Sequence, residues 1–195
     1  MGYSVLLTCI GRHDEAISEM KTARELDPLS LITGALEGQS FLFAGQYDQA
    51  IDSLSKTLEI DPNFWVAHIQ LSRTYIQQKN FEAAIAEAEK AKQFSGGNSE
   101  SLSLAGYALA KSGHRAEAVV MLDELKSHSI QGFAPSYNIA MLYNGFDEKI
   151  EALNWLERAF NENDVRLILL NVDPKWSNMR MEPRFVDLMK RMNFE

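Results

Sequence analysis

The sequence predicts an all-α fold built from antiparallel helix pairs, and three regularities carry this prediction. Ala16 recurs at steps of 34 residues as Ala50, Ala84, Ala118 and Ala152. The residue after each alanine is aliphatic, namely Ile17, Ile51, Ile85, Val119 and Leu153. Twelve residues before each alanine lies another small residue: Ser4, Gly38, Ser72, Gly106 and Ala140. An internal repeat of this period, without slippage, indicates an array of stacked supersecondary units.

The composition is that of a foldable globular protein. The 195 residues are 46% hydrophobic and 24% charged, which suits one large domain or a short array of repeats. The net charge of −8 argues against direct binding of nucleic acid, because a surface that binds phosphates normally needs a basic face. Residues 1–62 hold four Lys or Arg against ten Asp or Glu, so a basic partner would meet that end first.

The N-terminus and the cysteine content point neither to export nor to a membrane. The apolar stretch from Val5 to Ile10 is too short for a signal peptide, and no basic residue precedes it. No run approaches the roughly 18 apolar residues of a membrane-spanning helix. Cys9 is the lone cysteine, which excludes an intramolecular disulfide and fits a reducing compartment. We therefore expect a cytoplasmic protein with no membrane partner.

Each repeat contains two stretches with helical spacing. In the repeat that begins at Leu31, small and apolar residues follow at steps of three and four as far as Leu42, and Gly45 then interrupts the pattern. A second stripe runs from Tyr47 to Leu58. The repeat closes at Pro62, because proline suits the start of a helix and not its interior.

The bend between the paired helices falls at one repeat position. Gly11, Gly45 and Gly113 occupy this position, and Lys79 and Asp147 replace glycine there. We expect Asn80 to cap the helix that follows Lys79. The third repeat lacks a closing proline and ends in Ser95-Gly96-Gly97-Asn98, which predicts a flexible joint.

The recurring small residues have a physical role. Two helices pack at about 8–10 Å, and the closest approach needs a small side chain at the crossing. Ala50 in the second helix and Gly38 in the first would allow that approach, and Phe41 would fill the space beside it. Stacked repeats would then share one continuous core.

These positions in one register resemble the tetratricopeptide repeat, with its small residue and aromatic in the first helix, its alanine in the second and its closing proline. The resemblance implies a right-handed superhelical solenoid of five repeats, at 1–30, 31–64, 65–98, 99–132 and 133–162. The tryptophan usual near the start of the first helix is missing, and Gly34, His68, Leu102 and Ser136 stand in its place. The family implies a non-catalytic scaffold that binds a peptide segment in a concave groove.

The period fails after residue 162, and we expect 163–195 to form C-terminal capping helices. Asn163-Asp164 would cap a short helix, 172–176 would form a turn, and Pro183 would start a last helix. Phrases such as Val172-Asp173-Pro174-Lys175-Trp176 resemble the tails of repeat arrays in bacterial transcriptional regulators and kinases. This resemblance implies a bacterial source. It also implies the alternative function, a regulatory or sensory segment of a larger protein.

The sequence offers little catalytic chemistry, and we expect no enzyme, no metal site and no cofactor. The histidines His13, His68, His114 and His128 are scattered, and no Cys/His set has zinc spacing. Cys9 is better explained as a packed thiol than as a nucleophile. The carboxylates at Asp14-Glu15 and Asp147-Glu148 begin second helices, where negative charge complements the helix dipole.

The family register places a set of residues in the expected groove. It contains Gln39, Leu42, Phe43, Ile69, Arg73, Ile76, Gln77, Tyr107, Lys111, Tyr137 and Met141. The set is largely apolar and aromatic, with cations at Arg73 and Lys111 and no anion, so it would hold a peptide by apolar anchors and a carboxylate by charge. Packing against neighbouring helices remains the alternative explanation for each apolar member.

A second kind of partner is another copy of the chain. The first repeat lacks the opening of its first helix, which would leave an apolar edge available for self-association. The expected partners are therefore a protein or peptide and, through the N-terminal edge, a second copy.

Overall fold

The predicted helix pairs are present, and the all-α class is confirmed. The computed structural model describes residues 2–130 and 135–194, and these ranges contain helices and turns without any strand. The chain divides into two compact units, Met1–Gly97 and Asn98–Glu195. The division falls inside Ser95-Gly96-Gly97-Asn98, where the sequence predicted a joint.

The N-terminal unit contains three helix pairs. Its helices are α1 (Gly2–Cys9), α2 (His13–Leu26), α3 (Leu31–Phe43), α4 (Tyr47–Ile60), α5 (Trp65–Gln77) and α6 (Phe81–Phe94). Within each pair the two helices pack on each other, and α3 also packs against α5. The first helices of successive repeats are therefore neighbours, so that residues from α3 and α5 can contribute to one face.

The C-terminal unit contains two helix pairs and the tail. Its helices are α7 (Ser99–Lys111), α8 (Arg115–Ile130), α9 (Ser136–Gly145), α10 (Lys149–Asn161) and α11 (Pro183–Arg191). Two 3-10 helices, Val165–Leu169 and Pro174–Met179, lie between α10 and α11. The expected boundary between the fourth and fifth repeats, at 132/133, lies outside the described residues, and the division into five repeats stays a prediction.

The recurring alanines lie at helix crossings. Ala16, Ala50, Ala84, Ala118 and Ala152 are each 0% exposed. Gly38 explains why their first-helix counterparts are small, because a Cβ there would lie 2.5 Å from Cγ of Leu54. Phe41 is buried in a cluster with Ile17 and Ala50, as expected.

Gly34 shows how the fold uses the position where the family usually has tryptophan. A Cβ at Gly34 would lie 2.1 Å from Oγ1 of Thr57 and 2.5 Å from Nη1 of Arg24. The Arg24 guanidinium donates a hydrogen bond to the carbonyl oxygen of Ser30 at 3.1 Å. The space beside Gly34 is thus filled by an arginine from the preceding repeat and by a threonine.

The bends share one backbone conformation at all five positions. Gly11, Gly45 and Gly113 have positive φ, and Lys79 and Asp147 adopt it too, each with φ of 59°. Residues other than glycine are strained in this left-handed region, because their Cβ approaches the backbone carbonyl oxygen. The predicted cap is confirmed, since the Asn80 side chain accepts a hydrogen bond from the Ala83 N–H.

The tail differs from the sequence prediction at 172–176. This stretch is not a simple turn, because Pro174–Met179 forms a 3-10 helix. The Asp173 side chain caps that helix by accepting from the Lys175 N–H at 3.0 Å, and Pro174 needs no N–H at the first helical position. Asp164 caps the earlier 3-10 helix by accepting from the Arg166 N–H. The last helix begins at Pro183 as expected.

Candidate functional site

Most of the expected groove residues of the N-terminal unit are buried. Gln39, Leu42 and Phe43 lie on α3, and Ile69, Arg73, Ile76 and Gln77 lie on α5. All except the two glutamines are buried, and Arg73 is only 6% exposed. Leu42, which we expected to face a ligand, packs instead in the core cluster that contains Ile17 and Phe41. Burial of this kind leaves little surface for direct contact with a partner.

A row of side chains on α3 and α5 does reach the surface of the N-terminal unit. We call Ile32, Gln39, Val66 and Gln77 the N-terminal face. Ile32 and Gln39 are two helical turns apart on α3, and Val66 and Gln77 are three turns apart on α5, so each pair points to one side of its helix. Ile32 is exposed and the other three are partly exposed. This face combines aliphatic surface with amide groups that can both donate and accept hydrogen bonds.

In the C-terminal unit the expected groove residues of α9 are covered by the tail of the chain itself. Tyr137 and Met141 are each 2% exposed. The indole Nε1 of Trp176 donates a hydrogen bond to the hydroxyl of Tyr137 at 3.0 Å, and the two rings lie 5.8 Å apart. The Trp176 ring also stacks on Phe185 of α11 at 6.4 Å. Pro174–Met179 therefore occupies the surface that the sequence assigned to a ligand.

An amide on α9 holds the backbone of this tail segment. Nδ2 of Asn144 donates to the carbonyl oxygen of Lys175 at 2.7 Å, and the Asn144 oxygen accepts from Asn178 at 2.8 Å. Lys175 and Asp173 form an ion pair at 2.7 Å with both side chains buried. Sequence reasoning missed Asn144 and Asp173. The signal that could have found them was a tryptophan within the polar stretch 173–178, because its ring needs a pocket to be buried.

The cation expected on α7 is not free for a ligand carboxylate. Nζ of Lys111 contacts Oδ1 of Asp147 at 2.6 Å, so a carboxylate from outside the expected groove set already pairs with this cation. Burial raises the pKa of the nearby Tyr107 phenol above its ordinary value, and the negative charges of Asp173 and Asp147 raise it further. Tyr107 is thus a neutral phenol near two carboxylates.

The side chains of His68 and Cys9 both have structural explanations. Nδ1 of His68 lies 2.5 Å from Oε2 of Glu87, and Nε2 of His68 lies 2.9 Å from the carbonyl oxygen of Pro62. Burial raises the pKa of the Cys9 thiol, which makes it a poorer nucleophile at neutral pH. Among residues 2–130 and 135–194, no group of three or more His, Cys, Asp or Glu could hold a metal ion. No helix within those ranges is long and apolar enough to cross a membrane.

These features define a helical repeat protein, with paired antiparallel helices, a buried alanine at each crossing and a left-handed residue at each bend. Residues 42–96 match the model of the tetratricopeptide repeat family. This segment is similar to that family, and the resemblance seen in the sequence is confirmed. Proteins of the family are generally non-catalytic interaction scaffolds that bind protein or peptide partners. The resemblance of the tail to bacterial regulators and kinases stays a prediction.

Solved structures show the same fold at low sequence identity. A thermophilic tetratricopeptide repeat protein of Thermus thermophilus, TTC0263, is 18% identical with a TM-score of 0.68, and the match covers 97% of each chain. MamA is 21% identical with a TM-score of 0.54, over 80% of this chain and 92% of MamA. YrrB, described as having an unusual peptide-binding site, is 18% identical with a TM-score of 0.50, over 88% of each chain. No curated protein matches the sequence.

Proposed function

We propose that the protein is an interaction scaffold that binds an extended segment of a partner protein on its N-terminal face. The observation that carries this proposal is the hydrogen bond from Asn144 to the backbone carbonyl of Lys175 at 2.7 Å. It is an example, within this chain, of an amide on a first helix that holds a peptide backbone. Gln39 and Gln77 would present the same group from α3 and α5 to a backbone supplied by the partner.

The chemistry of the N-terminal face suits such a segment. Ile32 and Val66 would contact apolar side chains, and the two glutamine amides would pair with backbone N–H and C=O groups. The likeness to YrrB, whose own description names a peptide-binding site, is in keeping with this function. The buried members of the expected set, including Phe43, Ile69 and Ile76, would then hold α3 and α5 in position without contacting the partner.

Selection of peptides from a random library, followed by affinity measurements on variants, tests the proposal. We expect Gln39→Ala combined with Gln77→Ala to weaken binding of a selected peptide about tenfold, since each lost hydrogen bond contributes about 0.5–1.5 kcal/mol. Gln49→Ala combined with Gln93→Ala is the matched control, because both glutamines are exposed on second helices. Equal affinities of the two double variants for every selected peptide would refute binding at this face.

A further inference from the structure

A surface cavity in the tail is a second candidate binding site. It has a volume of about 490 Å³ and lies between α11 and the stretch that precedes it. Its lining residues are Asn171, Arg180, Phe185, Val186, Met189, Lys190, Asn193 and Phe194. A volume of this size is in the range of ligand pockets, and the aromatic and aliphatic members give it an apolar floor.

The end of α11 builds one wall of the cavity. Asn193 adopts a left-handed conformation with φ of 59°, and its N–H bonds to the carbonyl oxygen of Lys190 at 3.0 Å. The N–H of Phe194 bonds to the carbonyl oxygen of Met189, also at 3.0 Å. This pair of bonds is a Schellman motif, which turns the chain back over the last turn of the helix. Phe194 is thereby placed beside Met189 instead of extending into solvent.

The opposite wall and the base of α11 are also fixed. Nη2 of Arg180 donates to the carbonyl oxygen of Asn171 at 2.7 Å, which joins the two residues that line this side. The start of α11 is tied to α10 by an ion pair between Lys149 and Glu182 at 2.6 Å. Its end is tied by the Arg191 guanidinium, which lies 4.5 Å from the centre of the Phe160 ring. The cavity is therefore bounded by elements that are anchored on both sides.

The charges around the cavity are of one sign. Arg180 and Lys190 are the charged residues among those that line it, and neither is buried. The side-chain ammonium group of Lys190 forms no hydrogen bond or ion pair with any described residue, in contrast to the Arg191 guanidinium, which pairs with Asp187. A cation without a protein partner at the edge of an apolar floor complements a ligand that is both apolar and anionic.

We propose that this cavity binds a short segment of a partner protein in which a large apolar side chain lies next to carboxylates. The apolar side chain would lie against Val186, Met189 and Phe194, and the carboxylates would contact Lys190 and Arg180. The rim of the cavity is exposed and includes Val186. Such an open rim suits a peptide segment that runs across the surface better than a small molecule that must be enclosed on all sides. The site shares no residue with the N-terminal face, and neither proposal depends on the other.

Fluorescence anisotropy with a short labelled peptide, in which a phenylalanine is flanked by glutamates, tests the proposal on the full chain. We expect Arg180→Gln combined with Lys190→Gln to weaken binding about tenfold or more, because charge-assisted hydrogen bonds are the stronger ones. Lys21→Gln combined with Lys79→Gln is the matched control, since it makes the same change in net charge within the N-terminal unit. That control should bind as the unchanged protein does.

One further variant and one further peptide test whether the apolar floor and the carboxylates each contribute to binding. Met189→Glu should also abolish binding by placing a like charge on the cavity floor, and circular dichroism and a thermal melt should show that this variant is folded. A peptide in which lysines replace the glutamates should bind at least tenfold more weakly. Equal binding of the two peptides, equal binding by the two double variants, no binding at millimolar peptide, or displacement of the peptide by decanoate would each overturn the proposal.

Discussion

The indole N–H of Trp176 and the hydroxyl of Tyr137 form a hydrogen bond of 3.0 Å between two fully buried rings that are 39 residues apart in the chain. This contact fastens the tail to α9. It also fixes the orientation of both rings, because an indole N–H can only donate and here it has a phenol oxygen as its acceptor. The tail is thus held by a specific polar contact as well as by apolar packing.

Removal of the acceptor should be costly. We predict that Tyr137→Phe lowers the free energy of unfolding by about 1–3 kcal/mol, because it leaves a buried donor without a partner. Urea denaturation followed by circular dichroism measures the change. Tyr47→Phe, at a partly buried tyrosine with no described hydrogen bond from its hydroxyl, should change stability by less. The same loss in both variants would show that the contact with Trp176 adds nothing.

The two partners should also be energetically coupled. Trp176→Phe should cost less in the Tyr137→Phe background than in the unchanged protein, because the donor it removes is already unpaired there. We expect a coupling energy of about 0.5–3 kcal/mol from the double-mutant cycle. Strict additivity of the two changes would contradict the hydrogen bond as described.

The two bends without glycine lead to a prediction of increased stability. Lys79→Gly should raise the free energy of unfolding by about 1 kcal/mol, because glycine adopts the left-handed conformation without strain. Asp147→Gly should gain less, since it also removes the ion pair with Lys111. Thermal denaturation of the two variants measures both effects. A lower melting temperature for Lys79→Gly would show that its backbone conformation carries no strain.

Overpacking at a helix crossing should destabilise the N-terminal unit. Gly38→Ala would place a Cβ 2.5 Å from Cγ of Leu54, and we expect a loss of about 1–3 kcal/mol. Gly2→Ala is the control, because its Cβ would meet nothing within 4 Å. Chemical denaturation should show a change within about 0.5 kcal/mol for that control. Similar values for the two alanine variants would mean that α3 and α4 have room to separate.

The hydrogen-bonded pair of His68, which is buried, and Glu87, which is partly buried, predicts a dependence of stability on pH. Burial acts to raise the pKa of Glu87, but the hydrogen bonds from His68 and Lys90 outweigh it, so that this pKa lies below its ordinary value. A group with a lowered pKa in the folded state stabilises the fold at pH values above its unfolded pKa. This stabilisation is lost as the pH falls through the folded pKa.

We therefore expect the free energy of unfolding to decrease as the pH is lowered below about 4.3, the ordinary glutamate pKa. Glu87→Gln should reduce this acid sensitivity, and it should cost about 1–3 kcal/mol at neutral pH because the carboxylate is lost as a partner of His68. Glu89→Gln makes the same change at an exposed position of the same helix and should leave the pH profile unaltered. Parallel profiles for the two variants would exclude this role for Glu87.

The features of the fold that depend on local sequence spacing were predicted correctly. The buried alanines, the bends at Gly45 and Lys79, and the cap at Asn80 follow from repeat position, because helical periodicity and turn chemistry act over a few residues. The ion pair of Lys111 and Asp147 and the docking of Trp176 on Tyr137 join residues more than 30 positions apart. No local pattern encodes such pairings.

The candidate site was predicted less well than the fold for a related reason. The family register identifies the side of the helix on which Leu42, Arg73 and Tyr137 lie. It does not say what packs on that side. Arg24 beside Gly34, and Pro174–Met179 on α9, fill space that the repeat pattern alone leaves open.

The Lys175–Trp176 segment competes with any outside molecule for the surface of α9. A short tether gives such a segment an effective concentration on the order of millimolar. A free peptide of equal intrinsic affinity would have to reach that concentration to displace the tail segment from half of the molecules. The surface of α9 therefore excludes weak ligands below a threshold concentration, and the length of chain that tethers the tail segment sets that concentration.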